Sequence, residues 1–172
     1  MIRQIKQRLK NMRTVSGLIS KAGNIANEMG DRQPAAEHLV LAAFEMPDGL
    51  ALRAFQRLAG EPDLFSTALA KRRDQILQSI GVDTGGLVLD QQDVMVAPPA
   101  MPGAQISAQQ VLREMAGKTG FWQASPVTGM DVLSAVVSLR GGLAADVLES
   151  LGVNRQSLST VTLTSESFPG ID

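Results

Sequence analysis

Apolar residues recur at helical spacing along most of this chain, and glycine and proline break the rhythm at intervals. Ile2, Ile5, Leu9 and Met12 mark one face of a first helix. Val15, Leu18, Ile19, Ala22, Ile25, Ala26 and Met29 carry an apolar stripe onward to Gly30, a helix C-terminal signal. Pro34 stands just inside the next predicted start, where a missing N–H costs least. AAEHLVLAAFEM reads as the second helix, Pro47-Asp48-Gly49 as a turn, and LALRAFQRLAG as the third helix, closed by Gly60. DLFSTALAKRRDQILQSIG is the fourth, with Leu64, Ala68, Leu69, Ile76 and Ile80 as its inward face. Only short stretches such as Val94-Met95-Val96 and Val161-Thr162-Leu163 alternate like strands, so the pattern predicts an all-α fold.

Residues 81–106 interrupt the pattern with glycines and with Pro98, Pro99 and Pro102, and read as a linker. The helical rhythm then returns, and one ungapped shift of 93 positions aligns the two sides. It sets Leu18-Ile19 on Val111-Leu112, Leu39 on Val132, Ala42-Ala43 on Ala135-Val136, and Gly49-Leu50-Ala51 on Gly142-Leu143-Ala144. Phe55 then meets Leu148, Leu58 meets Leu151 and Phe65 meets Leu158. The expectation is two tandem four-helix repeats with pseudo-twofold symmetry. Repeat 1 covers residues 14–80 and repeat 2 covers 107–160, with a basic N-terminal helix extension over 1–13 and a flexible tail over 161–172.

Composition narrows the chemistry. The chain of 172 residues can bury a real core, and a formal charge of −1 argues against a general polyanion binder. There is no cysteine, so disulfides and thiolate metal sites are excluded. His38 is the only histidine, which removes His-pair metal sites, and no metal or cofactor is expected. No apolar run approaches the roughly 20 residues of a membrane span, and the basic start lacks the apolar core of a secretory signal. A cytoplasmic protein without membrane contact is the expectation. The start, with Arg3, Lys6, Arg8, Lys10 and Arg13 and no acid, reads as a solvated amphipathic helix packing its apolar face on the domain, with a transit peptide or a membrane-surface helix as the alternatives.

Gly117-Lys118-Thr119-Gly120 ends like a phosphate-binding loop, but Leu112 holds the place of the first glycine. Val111, Leu112 and Met115 precede it at helical spacing where a strand should lead in, so the segment is expected to be the end of a helix. Glu45, Asp48, Asp131 and Glu149 are scattered acids, and with one histidine they form no catalytic set; the chain reads as a non-enzyme. Nucleic-acid binding is an alternative function, through the N-terminal cations with Lys21 and Lys71-Arg72-Arg73, although no aromatic residues interleave with them.

Pro34-Ala35-Ala36-Glu37-His38-Leu39-Val40-Leu41-Ala42-Ala43-Phe44, then Asp48-Gly49-Leu50-Ala51 and Ala54-Phe55-Gln56-Arg57-Leu58, resembles the N-terminal repeat domain of Clp ATPases. Asp131 to Val137 with Gly142 to Val153 is similar to that family's second repeat. The resemblance covers roughly residues 14–160 and implies a free-standing domain without ATPase modules. It implies a protein-binding module that serves Clp-type chaperone and protease machinery as adaptor, accessory or substrate receptor. Its partners would be Clp ATPase or peptidase subunits, or their substrates and adaptors. It further implies a phosphoarginine-like site at Glu37, whose counterpart in the second repeat is Met130. Glu37 and His38, with Phe121 and Trp122 between the first two helices of repeat 2, are the candidate protein-binding residues. Their structural alternatives are an acid complementing the helix dipole, a histidine capping or packing locally, and an aromatic pair plugging the core.

Overall fold

The computed structural model of the chain describes residues 2–79, 105–119, 125–139 and 141–165. These residues form eight α-helices and no strand: α1 (Ile2–Glu28), α2 (Ala36–Phe44), α3 (Leu50–Leu58), α4 (Asp63–Ser79), α5 (Ile106–Thr119), α6 (Gly129–Ser138), α7 (Leu143–Ser150) and α8 (Arg155–Ser165). The all-α expectation therefore holds for them. Several boundaries move. The basic extension and the stripe that follows it are one continuous helix, α1. Pro34 lies before the N-cap Ala35, outside α2. Ile106 opens α5, and α8 runs through Val161-Thr162-Leu163 to Ser165, into the segment expected to be a tail. Gly117-Lys118-Thr119 is the last turn of α5. Phe121, Trp122 and most of the expected linker lie outside the described residues. No helix among the described residues is long and apolar enough to cross a membrane.

Helices α2 and α6, the most apolar of the set, pack on each other at the centre, with α1 laid on α2 and α5 on α6. Contacts then cross between the N- and C-terminal halves: α3 on α6, α2 on α7, α4 on α7 and α3 on α8. One hydrophobic cluster joins both halves through Leu39, Val40, Phe55 and Phe65 on one side and Val111, Leu133, Val136 and Leu148 on the other. Each fully buried side chain of this size contributes on the order of 1.5–3 kcal/mol. Phe44, Phe55 and Phe65 add tilted and edge-on ring contacts with centroids 4.9, 6.0 and 6.3 Å apart.

Two helices turn differently from the expected orientation. In α1, Ile5, Leu9 and Met12 are 56, 54 and 56 % exposed, so the N-terminal apolar face does not pack on the domain. At about 100° per residue, Asn11 stands in the same row as Val15, Leu18 and Ala22, and this longer row is the one that turns inward, with Asn11, Leu18 and Ala22 buried. Ile5, Leu9 and Met12 fall on another face, turned roughly 90–150° from the centre of that row. In α4 the buried row is Phe65 and Leu69, while Leu64 and Ile76 are exposed.

Asn11 is buried and fully employed. Its Oδ1 accepts from the Val127 amide at 3.1 Å and from Gln7 Nε2 at 2.9 Å, and its Nδ2 donates to the Ser125 carbonyl at 2.9 Å. The side chain thus supplies backbone partners to the segment that enters α6, which would otherwise hold an unpaired buried N–H. Asn11→Ala is expected to lower stability by about 1–2 kcal/mol. Chemical denaturation measures this, and amide exchange at Val127 should speed up.

At the start of α6, Gly129 allows a close approach between the halves. A Cβ there would lie 2.7 Å from Ala51 Cβ and 3.1 Å from the Ala43 carbonyl oxygen. Asp48 fixes this approach: its Oδ2 accepts from the Gly129 amide at 3.0 Å while its Oδ1 accepts from the Leu50 amide at 2.8 Å. Because the opposing atoms are backbone and a helix methyl, they cannot swing aside. Gly129→Ala is expected to cost about 1.5 kcal/mol in thermal or urea unfolding.

Candidate functional site

The densest polar cluster is built around the junction of α1 and α2. Helix α1 ends with Gly30 at φ 79°, and the Asp31 amide reaches back to the Ala26 carbonyl at 2.8 Å. This is the six-to-one closure that a left-handed glycine permits, and it fixes Asp31 at the helix end. After a bend at Arg32-Gln33, α2 begins with Ala36, placing Glu37 in its first turn and His38 at its third position. Arg73 comes from α4, one turn beyond the buried Leu69.

Arg73 Nη2 lies 2.8 Å from Asp31 Oδ2 and 2.9 Å from Glu37 Oε1. Glu37 is buried, whereas Asp31 and Arg73 keep about a third of their side chains in solvent. Burial pulls the Arg73 guanidinium toward its neutral form, but the hydrogen bonds to Glu37 and Asp31 outweigh it and hold its pKa above the ordinary value. The cation is therefore permanent, and the cluster carries two carboxylates on one guanidinium.

His38 is wholly buried beside them. Its Nδ1 accepts the Ala35 amide at 2.9 Å, so the ring proton sits on Nε2. Nε2 lies 3.0 Å from Asp31 Oδ2, close enough for Coulombic attraction but off the line that a hydrogen bond needs. Burial dominates and keeps the imidazole pKa below its ordinary value, although Glu37 and Asp31 both favour the charged form; Arg73 opposes it. The ring is thus a neutral helix cap held next to an ion-pair network.

Chemically, the arrangement binds a guanidinium between two carboxylates, and that place is taken by the chain's own Arg73. Glu37, the expected phosphoarginine-like residue, has its Oε1 engaged in this way. Glu37 and His38 present almost no side-chain surface, so a docking protein would meet Asp31 and Arg73 at this spot instead. Met130, the counterpart of Glu37, is half-buried. The cluster surrounds a side-chain cation, and no group of His, Cys, Asp or Glu among the described residues is arranged to hold a metal ion.

In the sequence Arg73 belongs to the basic run Lys71-Arg72-Arg73, a candidate nucleic-acid contact. It is instead the central residue of the cluster. The signal was its phase, because Phe65, Leu69, Arg73 and Leu77 form one row at four-residue spacing on α4. Others of the expected nucleic-acid cations are also engaged: Lys21 pairs with Glu45, and Arg72 lies 3.6 Å from Asp146. The latter pair borders a recess of about 460 Å³ between α4 and α7, lined by Ala68, Lys71, Gln75 and Val147. Compared with known proteins, the chain matches no family model and no curated protein.

Proposed function

We propose that this chain is a non-catalytic protein-binding module of the Clp N-terminal type, made of two four-helix repeats related by a pseudo-twofold axis. In this reading it serves Clp-type chaperone and protease machinery as an adaptor, accessory or substrate-receptor factor. The observation that carries the reading is the matched construction of α2 and α6. His38 and Asp131 occupy the same place in the proposed register, and each folds back from the third helical position onto its N-cap amide: Ala35 N to His38 Nδ1 at 2.9 Å and Thr128 N to Asp131 Oδ2 at 2.7 Å.

Other features agree with the same register. Gly49 and Gly142 are the N-caps of α3 and α7. Ala22 and Met115, Leu39 and Val132, Ala51 and Ala144, Phe55 and Leu148, and Phe65 and Leu158 are buried in pairs. The cross-contacts are reciprocal as well, α3 on α6 answering α2 on α7, and α4 on α7 answering α3 on α8. Co-purification of the tagged protein with the cell's Clp ATPase and peptidase subunits tests the function. Recovery of either subunit, or of a client that the protease degrades, is the expected result; recovery of none of them would count against it.

A further inference from the structure

The exposed apolar row of α1 has the spacing of a helix-pairing seam. Ile5, Leu9 and Met12 step four and three, the d, a and d positions of successive heptads, a spacing that Ile2 continues in the sequence, and each of the three is more than half exposed. In that frame Lys6 and Arg13 occupy e positions and Arg8 a g position, so every flanking place in this stretch is basic, and all three residues are exposed. Lys10 extends the same positive edge.

We infer that this face docks an amphipathic helix of a partner protein that carries an apolar a/d seam flanked by acidic e and g residues. The charge pattern selects against a second copy of this chain, because pairing α1 with itself brings Lys6, Arg8 and Arg13 against one another. The narrowness of the row favours a helix over a lipid surface. A helix lying in a membrane interface presents a broader apolar arc, whereas an a/d-only stripe is the seam of a paired helix. Helix electrostatics agree. Cations crowd the N-terminal half of α1 with no acid in its first turn, where positive charge opposes the helix dipole, and Lys6 and Lys10 repel at four-residue spacing. An acidic neighbour relieves both effects. The seam is short, but α1 is anchored through Asn11, Leu18, Ala22 and Ala26, so the partner meets a helix that is already formed. This docking face is separate from the Asp31–Arg73 cluster and does not depend on which machinery the protein serves.

The test uses the whole protein and two labelled synthetic four-heptad peptides with Ile at a and Leu at d, one with Glu and the other with Lys at every e and g position. Fluorescence anisotropy is expected to show the Glu peptide binding at least ten times more tightly than the Lys peptide. Leu9→Glu should weaken Glu-peptide binding at least tenfold while leaving the unfolding temperature unchanged, since the side chain is exposed. The pair Lys6→Glu/Arg13→Glu should reverse the preference. The inference is overturned if neither peptide binds, if both bind alike, or if Leu9→Glu leaves binding intact, which would mean that charge alone acts. It is equally overturned if the protein instead sediments with phosphatidylglycerol vesicles, or dimerises, through Leu9 without binding the Glu peptide.

Discussion

Arg73→Ala is expected to cost the fold about 3 kcal/mol, measured by urea unfolding at pH 8, the low end of the cost of breaking a buried pair because Arg73 and Asp31 keep some solvent contact. The loss comes from what remains: Glu37 stays buried and its Oε1 loses the guanidinium 2.9 Å away. A companion variant separates this cause from simple loss of packing. Arg73→Met combined with Glu37→Leu removes both charges and keeps apolar volume, so it should recover most of the loss. A single variant within about 0.5 kcal/mol of the parent, the range of ordinary surface changes, would show that the network contributes nothing.

The second large effect centres on His38. His38→Ala removes the acceptor of the Ala35 amide, worth about 1 kcal/mol as a helix cap, and empties a wholly buried ring site. Together these predict a loss of about 2–3 kcal/mol. The parent should also weaken in acid in a way that this variant does not. An unfolded chain protonates the imidazole near its ordinary pKa of about 6.5, while burial holds the folded value lower. Below about pH 6.5 the unfolded state therefore binds more protons. This contribution is complete above that pH and is lost as the pH falls toward the folded pKa. Protonation also takes away the lone pair on Nδ1 that caps α2. Denaturation of parent and His38→Ala between pH 8 and pH 5 measures the difference, and parallel profiles would refute the assignment. Arg73 sharpens the test. Its charge disfavours the imidazolium, so in Arg73→Ala a protonated His38 can partly replace the missing cation. The Arg73→Ala penalty should accordingly be smaller at pH 5.5 than at pH 8.

The all-α class of the described residues was legible in the sequence because helical periodicity runs through each of the eight helices, and the turns at Gly30, Pro47-Asp48-Gly49 and Gly60 fall where it breaks. The outward turn of the N-terminal face was not, since periodicity reveals an apolar stripe without saying which stripe the core selects. Helix α1 carries two, and the row containing Leu18, Ala22 and Ala26 took the interior. Half of the candidate cluster could be read from Glu37-His38 alone. Its other half needed a partner from a distant helix, and the clue lay in polar residues standing in apolar rows: Arg73 in line with Phe65 and Leu69, and Asn11 in line with Val15, Leu18 and Ala22. Both are buried or half-buried and both hold separate segments together. A charge run on paper, Lys71-Arg72-Arg73, thus divides into residues with different duties.

The crossing of helices between halves has a consequence for biosynthesis. Helices α2, α3 and α4 bury themselves against α6 and α7, which are synthesised after them. A nascent chain that has emerged only through α4 holds its aromatic trio but lacks the surfaces that cover it. Native structure is therefore completed after translation of the C-terminal half, and until then the exposed apolar faces of the first four helices are themselves the kind of surface that chaperones recognise.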